Sequence, residues 1–130
     1  MLRQAVERAE ARELEIAVCA LCLCEVATLK TGDPADDQEH LIRDFFEQPW
    51  VIVRQLDSFV GAKARELVRQ HGLKGRDAAH VAAALLTPRT GELWTYDKEV
   101  RSKCSTLARE DFRVCEPRWK DDQPALDLDD

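Results

Sequence analysis

Hydrophobic positions recur three and four residues apart over the first ten residues. Leu2, Ala5, Val6 and Ala9 fall on one side, with Arg3, Glu7, Arg8 and Glu10 outside it, the spacing of an amphipathic helix. Leu14-Glu15-Ile16-Ala17-Val18 then reads as a short strand. The apolar run after it predicts a buried helix over 20–30, stopped at Thr31-Gly32-Asp33-Pro34 by residues that end helices. Another helix is expected over 36–48 with Leu41, Ile42 and Phe45 inward, closed by Pro49. Trp50-Val51-Ile52-Val53 carries the aromatic and β-branched residues that favour an extended chain.

The second half repeats the alternation. Residues 57–71 place Val60, Ala64, Leu67 and Val68 on one helical stripe, and His71-Gly72-Leu73-Lys74-Gly75 interrupts it. From Arg76 to about Leu86 the pattern is apolar nearly all round, which predicts a buried helix. Glu92-Leu93-Trp94-Thr95-Tyr96 reads as a strand leading to Asp97 and a short helix, and Phe112-Arg113-Val114-Cys115 as a last strand. Short strands alternating with helices imply an α/β domain with a mainly parallel sheet.

Composition changes this picture little. A length of 130 residues suits one domain with a real core. The most apolar run, Ile16 to Leu29, is broken by Glu25 and Thr28 and falls short of the roughly 20 residues of a membrane span. Five cysteines without regular spacing, behind a start lacking the basic-then-apolar pattern of a secretory signal, favour reduced thiols and a cytoplasmic location. Of the 25 acids, five lie in 121–130, leaving 20 against 19 bases in the body. The chain therefore divides into a nearly neutral domain, 1–118, and an acidic tail, 119–130, in which Pro124 discourages regular structure. Overall charge neither favours nor excludes a nucleic-acid substrate.

Three carboxylates stand out. Glu25 has Leu21, Cys22, Thr28 and Leu29 as its helical neighbours, so it sits on a mostly apolar face where it needs a cation: an arginine at the sheet rim, or a metal. Asp77 opens the alanine-rich helix and Asp97 follows a strand. Either suits a helix N-terminus on capping and dipole grounds alone. Together they occupy the places where side chains gather beyond the carboxyl ends of parallel strands, and oxygen donors of this kind suit Mg²⁺. Thr95, two residues before Asp97, can orient a water or satisfy a backbone group. Lys98 and Arg101 can meet a phosphate or remain solvated, and His80 can steady a neighbouring acid.

These stretches resemble the PIN-domain family. Ala17 to Val26 is similar to the segment in which a strand leads into a helix bearing the second acid. Asp77-Ala78-Ala79-His80-Val81-Ala82-Ala83-Ala84 resembles the Asp-Ala-x-His-x-Ala-x-Ala helix carrying the third. Leu93 to Val100 resembles the strand–Thr–x–Asp segment carrying the fourth, and the order fits from Leu2 to Pro117. The resemblance implies a PIN-like fold with helices on both faces of its sheet. It also implies a Mg²⁺- or Mn²⁺-dependent endoribonuclease, with Glu25, Asp77 and Asp97 holding the metal and Thr95 orienting water. The nearest kin would be toxins of bacterial VapBC-type modules, which cleave RNA, are silenced by a cognate antitoxin, and are commonly homodimers.

Two departures qualify it. Cys19 stands where the family commonly has Ser or Thr. The family's first, central strand and its terminal aspartate have no counterpart before Glu25, since Glu7, Glu10, Glu13 and Glu15 read as helix-surface or linker residues. The strands near 15 and 94 must then pair directly, leave a gap, or borrow a strand. Metal binding is expected to be weak and catalysis slow or absent, and the nuclease reading predicts upstream in-frame DNA encoding a strand that ends in Asp. A non-catalytic PIN-like interaction module is the competing reading. Zinc held by Cys19, Cys22, Cys104 and Cys115 competes with plain core packing for the cysteines.

Overall fold

The computed structural model describes residues 2–26, 34–107 and 111–117, without the side chains of Leu2 and Arg3. The acidic tail 119–130 and the second half of the helix expected over 20–30 lie outside the described residues. Among those described there are six α-helices and four short strands, the mixed α/β content that the alternation implies. α1 (Leu2–Glu10) buries Ala5 and Ala9. β1 (Ile16–Cys19) follows, then α2 (Cys22–Glu25), α3 (Ala35–Phe46) and β2 (Val51–Arg54). α4 (Ser58–His71), α5 (Gly75–Leu86), β3 (Glu92–Trp94), α6 (Lys98–Lys103), a 3₁₀ turn (Ser105–Leu107) and β4 (Arg113–Cys115) complete the order.

Local chemistry explains the firmest boundaries. α4 starts at Asp57, whose Oδ1 accepts the Val60 amide at 2.9 Å. It ends at Gly72, which takes a left-handed φ of 69° while its N–H donates to the Val68 carbonyl. A glycine meets that geometry without the clash a Cβ brings. Asp57 also pairs with Arg54 at 2.9 Å. The Val60 amide, then the Arg54 guanidinium, hold its carboxyl below the usual aspartate range. A depressed folded pKa contributes stability that is present above the unfolded value and lost as pH falls through the folded one. Urea midpoints of the wild-type chain are therefore expected to fall more steeply below about pH 5 than those of Asp57→Asn, which keeps the capping oxygen but cannot titrate.

The core forms where α4 packs on α5. Val60 and Leu67 meet Ala78, Val81 and Ala82, with Leu73, Val100, Cys104 and Cys19 closing around them. The alanines of α5 let neighbouring backbones come close, which is why a helix apolar nearly all round is buried here. Two inward assignments need correction. Leu41 is 52% exposed and Val68 38% exposed, while Ile42 and Leu67 carry the burial on their helices. The helical register turns about 100° per residue, so a one-residue shift moves an apolar side chain off the contact face. Of the helix expected over 20–30, the described part, 20–26, is helical over the four residues of α2, and Leu23, Cys24 and Glu25 are exposed where burial was expected.

Among the described residues all strand pairing is parallel, yet it forms two small sheets instead of one. β1 pairs with β2, Ile16 opposite Val51 and Cys19 opposite Arg54. β3 pairs with β4, Glu92 opposite Arg113 and Trp94 opposite Cys115. Among the described residues the two pairs share no ladder, so the strands near 15 and 94 do not pair directly. α5 packs against both sheets. Its start meets Glu25, beyond the end of β1, and Arg89 just past its end approaches Glu15, before β1, at 4.0 Å. It therefore runs antiparallel to β1. The chain turns back into β3 directly after α5, and Cys104 beyond β3 lies in the electrostatic field of Asp77 at the start of α5. Hence β1 and β3 run the same way.

Candidate functional site

The carboxyl ends of β1 and β3 and the first turns of α5 share one end of the fold, and all three sequence-predicted acids belong to it. Glu25, the last residue of α2, has a side chain 27% exposed. Its Oε2 meets Arg76 Nε at 3.2 Å and its Oε1 meets His80 Nε2 at 2.5 Å. Arg76 and His80 are four residues apart on α5, so both face Glu25 from one side of the helix. The arginine partner foreseen for this glutamate is present, and His80 steadies Glu25 itself. Glu25 also acts on Cys22, whose thiol is pushed up by burial first and by this carboxylate second.

Asp77 lies between those two partners in sequence but not in bonding. α5 begins at Gly75 after Lys74, so Asp77 is the third helical residue and not the cap that its position suggested. It is half-buried, and among the described residues its carboxylate has no hydrogen bond or ion pair. Helix-dipole attraction in the first turn offsets part of the cost of that charge. Burial, followed by the Asp77 charge, pushes the Cys104 thiol up.

Asp97 is the N-cap of α6. Its Oδ1 accepts the Glu99 amide at 2.9 Å and the Val100 amide at 3.2 Å, while Oδ2 accepts none among the described residues. Thr95 satisfies a backbone group, since its hydroxyl accepts the Asp97 amide at 3.1 Å. That bond fixes the turn from β3 into α6. Arg101 is committed to the Thr95 carbonyl at 3.0 Å and to Glu116 at 3.1 Å. Lys98 is exposed. Lys103, at the far end of α6 from Asp97, ties that helix to the α4–α5 turn by donating to the Gly72 carbonyl at 2.9 Å.

Among the described residues no three His, Cys, Asp or Glu side chains stand together as a ready metal cage. Glu25 and His80 touch, Asp77 is half-buried and Asp97 is exposed. Cys19 and Cys104 pack into the core, and none of the five cysteines is in a disulfide. No helix among the described residues is long and apolar enough to cross a membrane. The Arg76–Glu25 and His80–Glu25 contacts, spanning 51 and 55 residues of sequence, are the pairings that pattern reading left open. No family profile, no curated protein and no solved structure matches the chain.

Proposed function

We propose that this chain is a divalent-metal-dependent hydrolase of RNA phosphodiesters, of the PIN type. The observation that carries the reading is Asp77: a half-buried carboxylate without a cation partner among the described residues, in the first turn of a buried helix. A charge so placed favours binding a cation. Asp97 supplies a second hard oxygen, Oδ2, because Oδ1 alone serves the helix cap. Glu25 is the third donor, released from Arg76 and His80 or reaching the ion through water. The donor set is all carboxylate, which fits Mg²⁺ or Mn²⁺ better than zinc. Bound there, the ion would acidify a water and offset charge on a phosphodiester.

The chain's own residues contribute binding and orientation. Arg76, largely exposed beside Glu25, and Lys98, next to Asp97, give the backbone of an RNA two cations at the site. Thr95 fixes the carboxylate of Asp97 through the turn it closes. In this reading the chain is the toxin of a two-component module and a small antitoxin is its partner.

Titration with Mn²⁺ tests it. Amide signals around residues 25, 77 and 97 are expected to broaden together at submillimolar to millimolar metal, and EDTA to restore them. A labelled RNA should be cut slowly in Mn²⁺ and not in EDTA. Broadening that spares residue 77 or residue 97 sinks the proposal.

A further inference from the structure

Two partners of unequal hold grip Glu25. His80 Nε2 meets Oε1 at 2.5 Å from a side chain 29% exposed, and its neighbours on α5, Ala79 and Val81, are buried. Arg76 meets Oε2 at 3.2 Å through Nε, from a side chain 71% exposed. Packing around α5 therefore fixes the imidazole, whereas the guanidinium is held chiefly by charge. Its position weakens that hold further. Arg76 is the second residue of α5, and a helix disfavours a cation in its N-terminal turn. Among the described residues Glu25 is the one partner that keeps Arg76 there. Asp77 beside it is the half-buried acid on which the metal reading stands.

We propose that Arg76 is a releasable counter-ion of Glu25, which neutralises the carboxylate until a divalent cation binds and then gives up Oε2 to the ion. The proposal rests on the metal reading above and adds its regulation. His80 keeps Oε1 throughout, as a supporting residue does when it orients a metal ligand by hydrogen bonding. Only one oxygen changes partner, so neither α2 nor α5 has to move. Release costs little, because an exposed ion pair contributes little, and the incoming ion brings two positive charges where the guanidinium brought one. The latch lowers metal affinity by the strength of that pair, roughly two- to fivefold. By linkage, a bound ion loosens Arg76 by the same factor.

Mg²⁺ titrations of the full chain, followed in proton–nitrogen NMR spectra, test it on two readouts. At saturating Mg²⁺ the Arg76 Nε–H signal should move toward the place it takes in metal-free Glu25→Gln, where the ion pair is lost. The Mg²⁺ affinity, read from the amides of residues 77 and 97, should rise roughly two- to fivefold in Arg76→Gln. In a Glu25→Gln background the same substitution should change nothing, because its partner is already neutral. Lys98→Gln, an equal change of charge beside Asp97, should act alike in both backgrounds. Arg76 is exposed at a helix start that disfavours its charge, so Arg76→Gln should keep the wild-type melting temperature. An equal gain from Arg76→Gln in both backgrounds overturns the proposal, since Arg76 then acts only as general positive charge. So does an Arg76 signal unmoved by Mg²⁺ while the amides of residues 77 and 97 shift, a result that leaves the metal reading standing. If those two amides ignore Mg²⁺ altogether, the metal reading falls and takes the latch with it.

Discussion

Leu67→Ala is expected to remove about 3 kcal/mol of stability, most of what a domain of this size can spare. Leu67 is 1% exposed at the centre of the α4–α5 contact. Its neighbours across the interface include Ala78 and Ala82, which have no side chain to swing into the space. The cavity would stay open, and the cost falls in the range seen when a buried leucine is truncated without collapse. The melting temperature should drop by on the order of 10 °C. Val68→Ala one position along is the control. Val68 is 38% exposed, and alanine is the better helix former, so the loss there should stay below about 1 kcal/mol. Equal losses at both positions would mean that α4 does not face α5 through Leu67.

Asp97 offers the second large effect because its two oxygens have separate work. Asp97→Asn keeps an acceptor for the Glu99 and Val100 amides, and asparagine caps helices as well as aspartate does. Stability should hardly change. Affinity for Mn²⁺ should nevertheless fall at least tenfold, the lower bound for disturbing even a residue that merely supports a ligand. Asp97→Ala loses both, with about 1 kcal/mol of stability gone as well. Calorimetric Mn²⁺ titrations beside urea melts separate the two roles. Unchanged metal affinity in the asparagine variant would leave Asp97 a helix cap and nothing more.

Much of the architecture was legible because its signals are local. Pro34, Pro49 and Gly72 punctuate the chain where helices begin or end, and the all-apolar stretch after Arg76 is the buried helix its pattern implies. Reading failed where two meanings fit one pattern. The apolar run after Ile16 matches a buried helix, yet α2 spans Cys22–Glu25 with three of its four residues exposed. Leu41 and Ile42 are equally apolar, and the stripe is broad enough that only packing decides which one is buried. Glu25 was legible as an acid in need of a cation, but its partners lie on a helix more than 50 residues away. Asp77 was legible as a residue of the first turn, suited to a cap or a metal, and the helix, expected from Arg76, begins at Gly75 and leaves it third. Strand propensity marks β1 and β3 individually; that they do not pair directly is a property of the whole fold.

The separation of the sheets makes α5 the mechanical spine of the molecule. With no ladder shared among the described residues, strain or loosening in β3–β4 reaches β1–β2 there chiefly through one helix whose inner surface is almost all methyl groups. Such a seam holds by shape more than by bonds. The two halves can therefore loosen on different schedules, with the three-residue β3–β4 pair giving way while α4 and α5 remain clasped.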